Sequence, residues 1–261
     1  MENDIVLQTM IKAAIKAGNI LKKMFIAGAT VGIKKGNDYY DIVSKADIAS
    51  ENSIIKILGN ALPNVKILSE EKGFINNQSQ NTIIIDPLDG SSNFLLGIPH
   101  FSVATAYVKG GQILASVVYN PVMKKMYTAQ SGKGAFVNNK KIISVAKKSL
   151  PYIAVNFSHK VTWQEKRLFF DKAYKFGASR VLNNWSPNLD FCLLAENKID
   201  AVVSQNSLIY DFAPGYLIAK ESGCFEFPKI KKIKVGTDST KNFIIGNNKK
   251  LLRKLVEENM L

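Results

Sequence analysis

The sequence predicts an α/β fold, with short strands dominating its first half and strands alternating with helices through its second. Three observations carry this expectation. Apolar residues recur at the helical period across 5–25, as Ile11, Ala14, Ile15, Ile20, Leu21 and Met24, with lysines between them. Ile83, Ile84 and Ile85 read as a strand buried on both faces, and polarity changes abruptly at Asp86. Beyond Pro151, strand-like and helix-like segments alternate, as they do in α/β units.

In chain order, the opening helix over 5–25 runs into Gly28, Thr30-Val31 and Gly32, then through Lys34-Lys35 to a loop at Gly36-Asn37-Asp38. A second helical pattern begins at Asp47, passes through Ile48, Ile54, Ile55 and Leu58, and stops before Pro63. A strand over 65–68 ends in Ser69-Glu70-Glu71, and a polar loop at 76–81 leads to the isoleucine strand. Strands follow at 102–108, 113–119 and 125–129, with Gly110-Gly111 as a hairpin turn and a further turn and strand over 132–137. A boundary falls near Ser149-Leu150-Pro151, where a new strand begins after a lysine-rich connection. It separates an N-terminal α+β half, 1–150, from a C-terminal α/β half, 151–261, the two forming one compact unit. In the second half the pattern gives strand 152–157, helix 165–176, strand 179–182, helix 188–195 and strand 200–203. A helix opening at Tyr210-Asp211 that tolerates Pro214 near its start comes next, then strand 242–245 and helix 249–258.

Composition narrows the function classes. In 261 residues, 46% are apolar and 21% charged, which are globular values. No eighteen-residue apolar run reads as a membrane span, and the acidic start Met-Glu-Asn-Asp does not resemble a secretory signal, so a cytoplasmic, non-membrane protein is expected. Cys192 and Cys224 sit in apolar surroundings without metal-ligand spacing and read as reduced core residues. Lys plus Arg outnumber Asp plus Glu by 35 to 21, a net charge of +14 that steers toward phosphorylated metabolites, nucleic acid or acidic partners. The densest basic run, 229–234, alternates with isoleucine and reads as a solvated face.

The chemistry concentrates after the isoleucine strand, in Asp86-Pro-Leu-Asp-Gly-Ser-Ser-Asn93. Asp86 and Asp89 presented together at a strand end repel each other, and oxygen-only ligands of this kind suit a hard cation such as Mg2+. Gly90, Ser91, Ser92 and Asn93 are capping residues whose N–H groups are able to hold an anion. Asp-Pro and Asp-Gly are equally ordinary turn residues. Glu70 after a strand, and Asp47 and Asp211 at helix starts, share the same kind of address, although each alone reads as a cap. His100 and His159 have no partners placed for a nucleophilic triad.

Four segments, Asp41-Ile-Val-Ser-Lys-Ala-Asp47, Ser69-Glu-Glu71, Ile85-Asp-Pro-Leu-Asp-Gly-Ser-Ser-Asn-Phe94 and Tyr210-Asp-Phe-Ala-Pro-Gly215 with Glu221-Ser-Gly223, resemble in order and spacing the motifs of the inositol monophosphatase family. The resemblance covers nearly the whole chain. It implies a layered α-β-α-β-α sandwich of the inositol monophosphatase and fructose-1,6-bisphosphatase type, a homodimer, and lithium-sensitive hydrolysis of phosphate monoesters using two or three Mg2+ per site. By that resemblance Glu70 and Asp86, with the Leu88 carbonyl, hold a water-activating metal. Asp86, Asp89 and Asp211 hold a second at the leaving oxygen. Ser91, where the family usually has threonine, pairs with Asp47 to orient the attacking water, and the N–H groups of Gly90, Ser91 and Ser92 grip phosphate.

The departures fall where the family selects its alcohol. Trp185-Ser186-Pro187 replaces the usual Gly-Ser/Thr-Ala, Ser204 stands for the inositol-contacting glutamate, and Tyr210 and Ile83 replace tryptophans. Trp185 reads equally as packed in the core or as facing the substrate. With Ser186 and Ser204 it is assigned to the substrate pocket, whose changes point to another sugar or nucleotide phosphate. The competing expectation is a binding protein of RNA or the transcription machinery, as some bacterial members of the family are.

Overall fold

The computed structural model describes residues 2–28, 32–34, 42–75, 79–146, 150–237 and 240–261. The expected Thr30-Val31 segment, the loop at Gly36-Asn37-Asp38, the Asp41 end of the first motif and part of the polar loop at 76–81 lie outside these residues. Helix α1 (Glu2–Ile26) is followed by strands β1 (Gly32–Lys34) and β2 (Ile42–Ser44), a small antiparallel pair not expected from sequence, and by α2 (Lys45–Ala61). Next come β3 (Lys66–Ser69), β4 (Gly73–Ile75), β5 (Thr82–Asp89), the short helix α3 (Ser91–Leu95), β6 (Ser102–Lys109), β7 (Gln112–Asn120), β8 (Lys125–Gln130), β9 (Gly134–Val137) and β10 (Lys140–Ile142). The second half contributes β11 (Tyr152–Phe157), α4 (Trp163–Lys175), β12 (Arg180–Leu182), α5 (Pro187–Ala195), β13 (Ala201–Leu208), α6 (Ile209–Glu221), β14 (Phe225–Phe227), β15 (Thr240–Gly246) and α7 (Lys249–Glu257).

The strands form a larger sheet in the order β10-β9-β8-β7-β6-β5-β3-β4 and a smaller one in the order β12-β11-β13-β15-β14. Alternation along β5 explains why both faces of the larger sheet are covered. Ile83 and Ile85 point to α1 and α2, where they meet Met10, Leu21 and Ile54. Ile84 points the other way, toward Phe191 of α5 and Phe212 of α6. Each isoleucine so enclosed contributes about 1.5–3 kcal/mol. The far side of α5 and α6 buries Val202, Phe243 and Ile245 of the smaller sheet, so these helices are apolar almost all round. The outer face of that sheet, Ile153, Val155, Val203 and Ile244, is closed by Phe169 of α4 and by Leu252 and Leu255 of α7. Five layers result, α-β-α-β-α, with a helical pair at the centre.

Gly110 and Gly111 make the expected hairpin turn, both at positive φ (59° and 78°), between paired Lys109 and Gln112. The lysines of 229–234 are exposed on an irregular segment, while Ile233 is buried and donates its N–H to Gly111 O. Cys192 and Cys224 are free thiols, as expected.

Candidate active site

β3 and β5 pair in parallel, from Lys66 opposite Thr82 to Ser69 opposite Ile85, so their carboxyl ends share one edge. Glu70 follows β3 directly and donates its N–H to Ile85 O at 3.2 Å. The sequence ended the central strand at Asp86, but β5 continues to Asp89 through an irregularity: Asp86 faces Ala104 and Asp89 faces Ser102. Three steps on β5 therefore match two on β6. In a regular strand, residues three apart point to opposite faces, and the extra residue turns both carboxylates to the same side. Pro87, with no N–H to give, is tolerated at this bulge.

Asp211 lies in the first turn of α6, in the central layer. A cleft of about 160 Å3 is lined by Glu70, Glu71, Asp86, Leu88, Asp89, Gly90, Ser91, Ser92, Trp185, Pro187 and Asp211. A larger groove of about 640 Å3, walled by Phe225, Phe227, Leu252 and Lys249, has none of these carboxylates in its lining. Gly90 turns the chain from β5 into α3 at φ 91°, and a Cβ there would stand 3.0 Å from His100 O. The Ser91 hydroxyl is 3.0 Å from Asp47 Oδ1 and 2.9 Å from Leu88 O, joining three of the expected positions.

The electrostatics are those of crowded anions. Burial, then Glu70, Asp89 and Asp211, pushes the Asp86 carboxyl well above the usual range. Enclosure, then Asp211 and Glu71, does the same to Glu70, although Glu70 is exposed as a residue and water screens it more than the others. Asp211 is raised to about 7, chiefly by burial and then by Asp89. Burial also raises Asp89, opposed by hydrogen bonds to it from Ser186, Ser102 and Asn188. Among the described residues the ion pairs go elsewhere, to such residues as Glu51, Glu196 and Glu226. No three acidic, histidine or cysteine side chains among the described residues converge into a finished metal cage. The donor chemistry nevertheless fits a hard cation: four carboxyl groups and the Leu88 carbonyl, all oxygen, and none of the four in an ion pair among the described residues.

Two pocket assignments are corrected. Ser204 is fully buried on β13 and its hydroxyl bonds Ser207 Oγ at 2.6 Å, so it does not line the cleft. Ser186 is also fully buried; its hydroxyl donates to Asp89 Oδ2 at 2.6 Å and holds that carboxylate instead of opening toward a substrate. Trp185 is 53% exposed at the cleft, with φ 55°, which places it outside the core. Its neighbours hold that strained backbone: Asn184 donates to Asp190 Oδ1 at 2.6 Å, and Asn184 O accepts from Asn93 at 2.7 Å. His100 is half-buried and His159 exposed, and neither lines the cleft.

Sequence reading missed the neutral residues that orient the acids. Ser102 donates to Asp89 Oδ2 at 2.8 Å, Ser50 to Pro87 O at 2.6 Å, and Asn188 to both Asp89 and Asp86. The available signals were slight: a polar residue opening an apolar strand, and an Asn behind Pro187 in a helix otherwise built for burial.

Comparison with known proteins agrees with this geometry. The model of the "Inositol monophosphatase family" matches residues 2–259. An inositol-1-monophosphatase of Mesorhizobium japonicum is 31% identical, over 98% of this chain and 97% of that protein. The Nus factor SuhB of Haemophilus influenzae is 34% identical over 83% of this chain and 82% of its own length. The crystal structure of the extragenic suppressor protein suhB from Bartonella henselae superposes with a TM-score of 0.84 at 31% identity, covering 98% of this chain and 97% of that one. Strand-end carboxylates, five-layered fold and end-to-end similarity converge, and the chain belongs to the inositol monophosphatase family.

Proposed function

We propose that the protein is a Mg2+-dependent phosphate monoester hydrolase. The observation that carries this reading is the set of crowded carboxyl groups, Glu70, Asp86, Asp89 and Asp211, without ion pairs among the described residues, around one cleft beside the Ser91–Asp47 hydrogen bond. Glu70, Asp86, Asp89, Asp211 and the Leu88 carbonyl would hold two or three Mg2+, which supply Lewis acidity toward an attacking water and a leaving oxygen. The chain's own groups do the rest. Asp47 accepts from Ser91, which leaves the hydroxyl oxygen free to orient a water for in-line attack. The backbone N–H groups of Gly90, Ser91 and Ser92 face phosphate oxygens. Ser102, Ser186 and Asn188 keep Asp89 in one orientation, so little reorganisation accompanies the reaction.

The substrate is a small phosphorylated metabolite. Trp185 at the rim, and no acidic group at position 204, favour a sugar or nucleotide phosphate over inositol phosphate. The two halves, 1–150 and 151–261, serve one site, since Asp211 comes from the second and the other acids from the first. A cytoplasmic, lithium-sensitive homodimer completes the proposal. The described helices include none long and apolar enough to cross a membrane.

A second reading is favoured by the relatives named Nus factor SuhB and by the charge of +14: association with RNA or the transcription machinery, secondary to catalysis. The test is phosphate release from inositol phosphate, sugar bisphosphates and 3′-phosphonucleotides, with and without Mg2+. Metal-dependent release is expected. No release by folded protein, together with salt-sensitive RNA retention, would put the second reading first.

A further inference from the structure

Pro214 lies inside α6, where it has no N–H for the Tyr210 carbonyl one turn earlier, and its ring crowds that carbonyl. The break falls in the turn that carries Asp211. Asn188, fully buried in the first turn of α5, spans it: Nδ2 donates to Tyr210 O at 3.0 Å, and Oδ1 accepts the Gly215 N–H at 3.0 Å. Close approach of the two helices makes this reach available. A Cβ on Gly215 would stand 2.6 Å from Phe191 Cδ2 and 2.9 Å from Asn188 O. Asn188 also touches the strand acids, its N–H 3.2 Å from Asp89 Oδ1 and its Nδ2 3.4 Å from Asp86 Oδ2.

We infer that Asn188 and Pro214 form a coupled pair in which Asn188 is a positioning residue, fixing Asp211 against Asp86 and Asp89 and so setting the affinity of the cleft for a divalent cation. The inference rests on the metal reading above. A regular helix would satisfy Tyr210 O from its own residue 214. Here the bond comes from a different helix, so the direction in which α6 starts depends on α5. Without that splint, mutual repulsion among the acids acts on a turn that lacks a ladder bond, and Asp211 moves away from its co-ligands.

The test titrates Mg2+ into chelated wild type, Asn188→Ala, Pro214→Ala and the double variant by isothermal calorimetry, with circular dichroism to confirm folding. Asn188→Ala should weaken Mg2+ binding roughly 10- to 100-fold, and excess Mg2+ should recover much of its turnover. In the Pro214→Ala background, where residue 214 again supplies an N–H to Tyr210, the same change should cost no more than about threefold. Equal losses in both backgrounds would overturn the coupling. Unchanged affinity in folded Asn188→Ala would overturn the positioning role and leave the metal reading standing, whereas a wild type that takes up no Mg2+ overturns both. If Asn188→Ala does not fold, the double variant decides: restored folding and binding support the pair, and failure of both proteins to fold removes it.

Discussion

Replacing Asp211 by Asn should make the chelated protein more stable at neutral pH while destroying its metal site. The Asp211 carboxyl is raised from 3.8 to about 7 by burial and by Asp89. Between those values the folded state binds more protons than the unfolded chain, so stability falls as pH rises. The contribution is complete below about pH 4 and gone once pH passes about 7. Three pH units correspond to about 4 kcal/mol, an upper limit because Asp211 is only half-buried and water at the cleft screens it. Glu70, Asp86 and Asp89 are displaced in the same direction and steepen the wild-type slope. Urea unfolding in chelator across pH 4.5–8 measures the effect. Wild type should lose stability along that range and the Asn variant should lose less, so that the two coincide near pH 4 and the variant leads near pH 8. Mg2+ should close this gap, adding about 2.7 kcal/mol to wild type at a hundredfold excess over its dissociation constant and about 4.1 kcal/mol at a thousandfold excess. A wild-type profile that is flat or rising from pH 5 to 7.5, or a variant no more stable at pH 8, would refute the reasoning.

Other substitutions separate the roles of neighbouring groups. Asp89→Asn, which keeps the shape but removes a ligand charge, should lower turnover on the order of 1,000-fold with the fold intact; substantial activity would sink the two-metal assignment. Ser91→Ala should reduce kcat by about 100-fold while changing Mg2+ affinity by no more than about threefold, as calorimetry beside steady-state kinetics will show. Gly90→Ala forces a Cβ to 3.0 Å from His100 O at φ 91° and should lower Tm by roughly 4–10 °C. Trp185→Gly relieves a left-handed backbone and should stabilise by up to about 1 kcal/mol, yet raise KM for a substrate that contacts the indole. An unchanged KM across the substrate panel would make Trp185 a bystander.

What sequence reading recovered and what it missed have separate physical causes. The three isoleucines announced a doubly covered strand because β-branched side chains favour extended backbone and an unbroken run of them leaves neither face for water. The acids announced themselves because charge at a strand end is costly unless used. Ser102 and Asn188 were silent, and Ser186 was given a different role, since a neutral polar residue that satisfies an acid looks the same in sequence as one that faces water or substrate. Ser204 was placed by analogy, and its hydrogen bond to Ser207 holds it buried within β13, away from the cleft. β1, β2, β4, β10 and β14 span three residues each, too few for periodicity to register, whereas β12, as short, was foreseen from the alternation of helical and extended segments around it.

The central helical layer also has a kinetic consequence. Asp211 rides on a helix that both sheets bury, whereas Glu70, Asp86 and Asp89 ride on the larger sheet alone. Anything that bridges these acids is therefore a cross-link between layers, and the layers separate only after it leaves. Occupancy of the cleft should then slow unfolding more than it accelerates folding, because the cross-link forms last and breaks first. Resistance to a protease that cleaves only the opened chain would follow how full the cleft is, so the lifetime of the native state becomes a readout of its ligand.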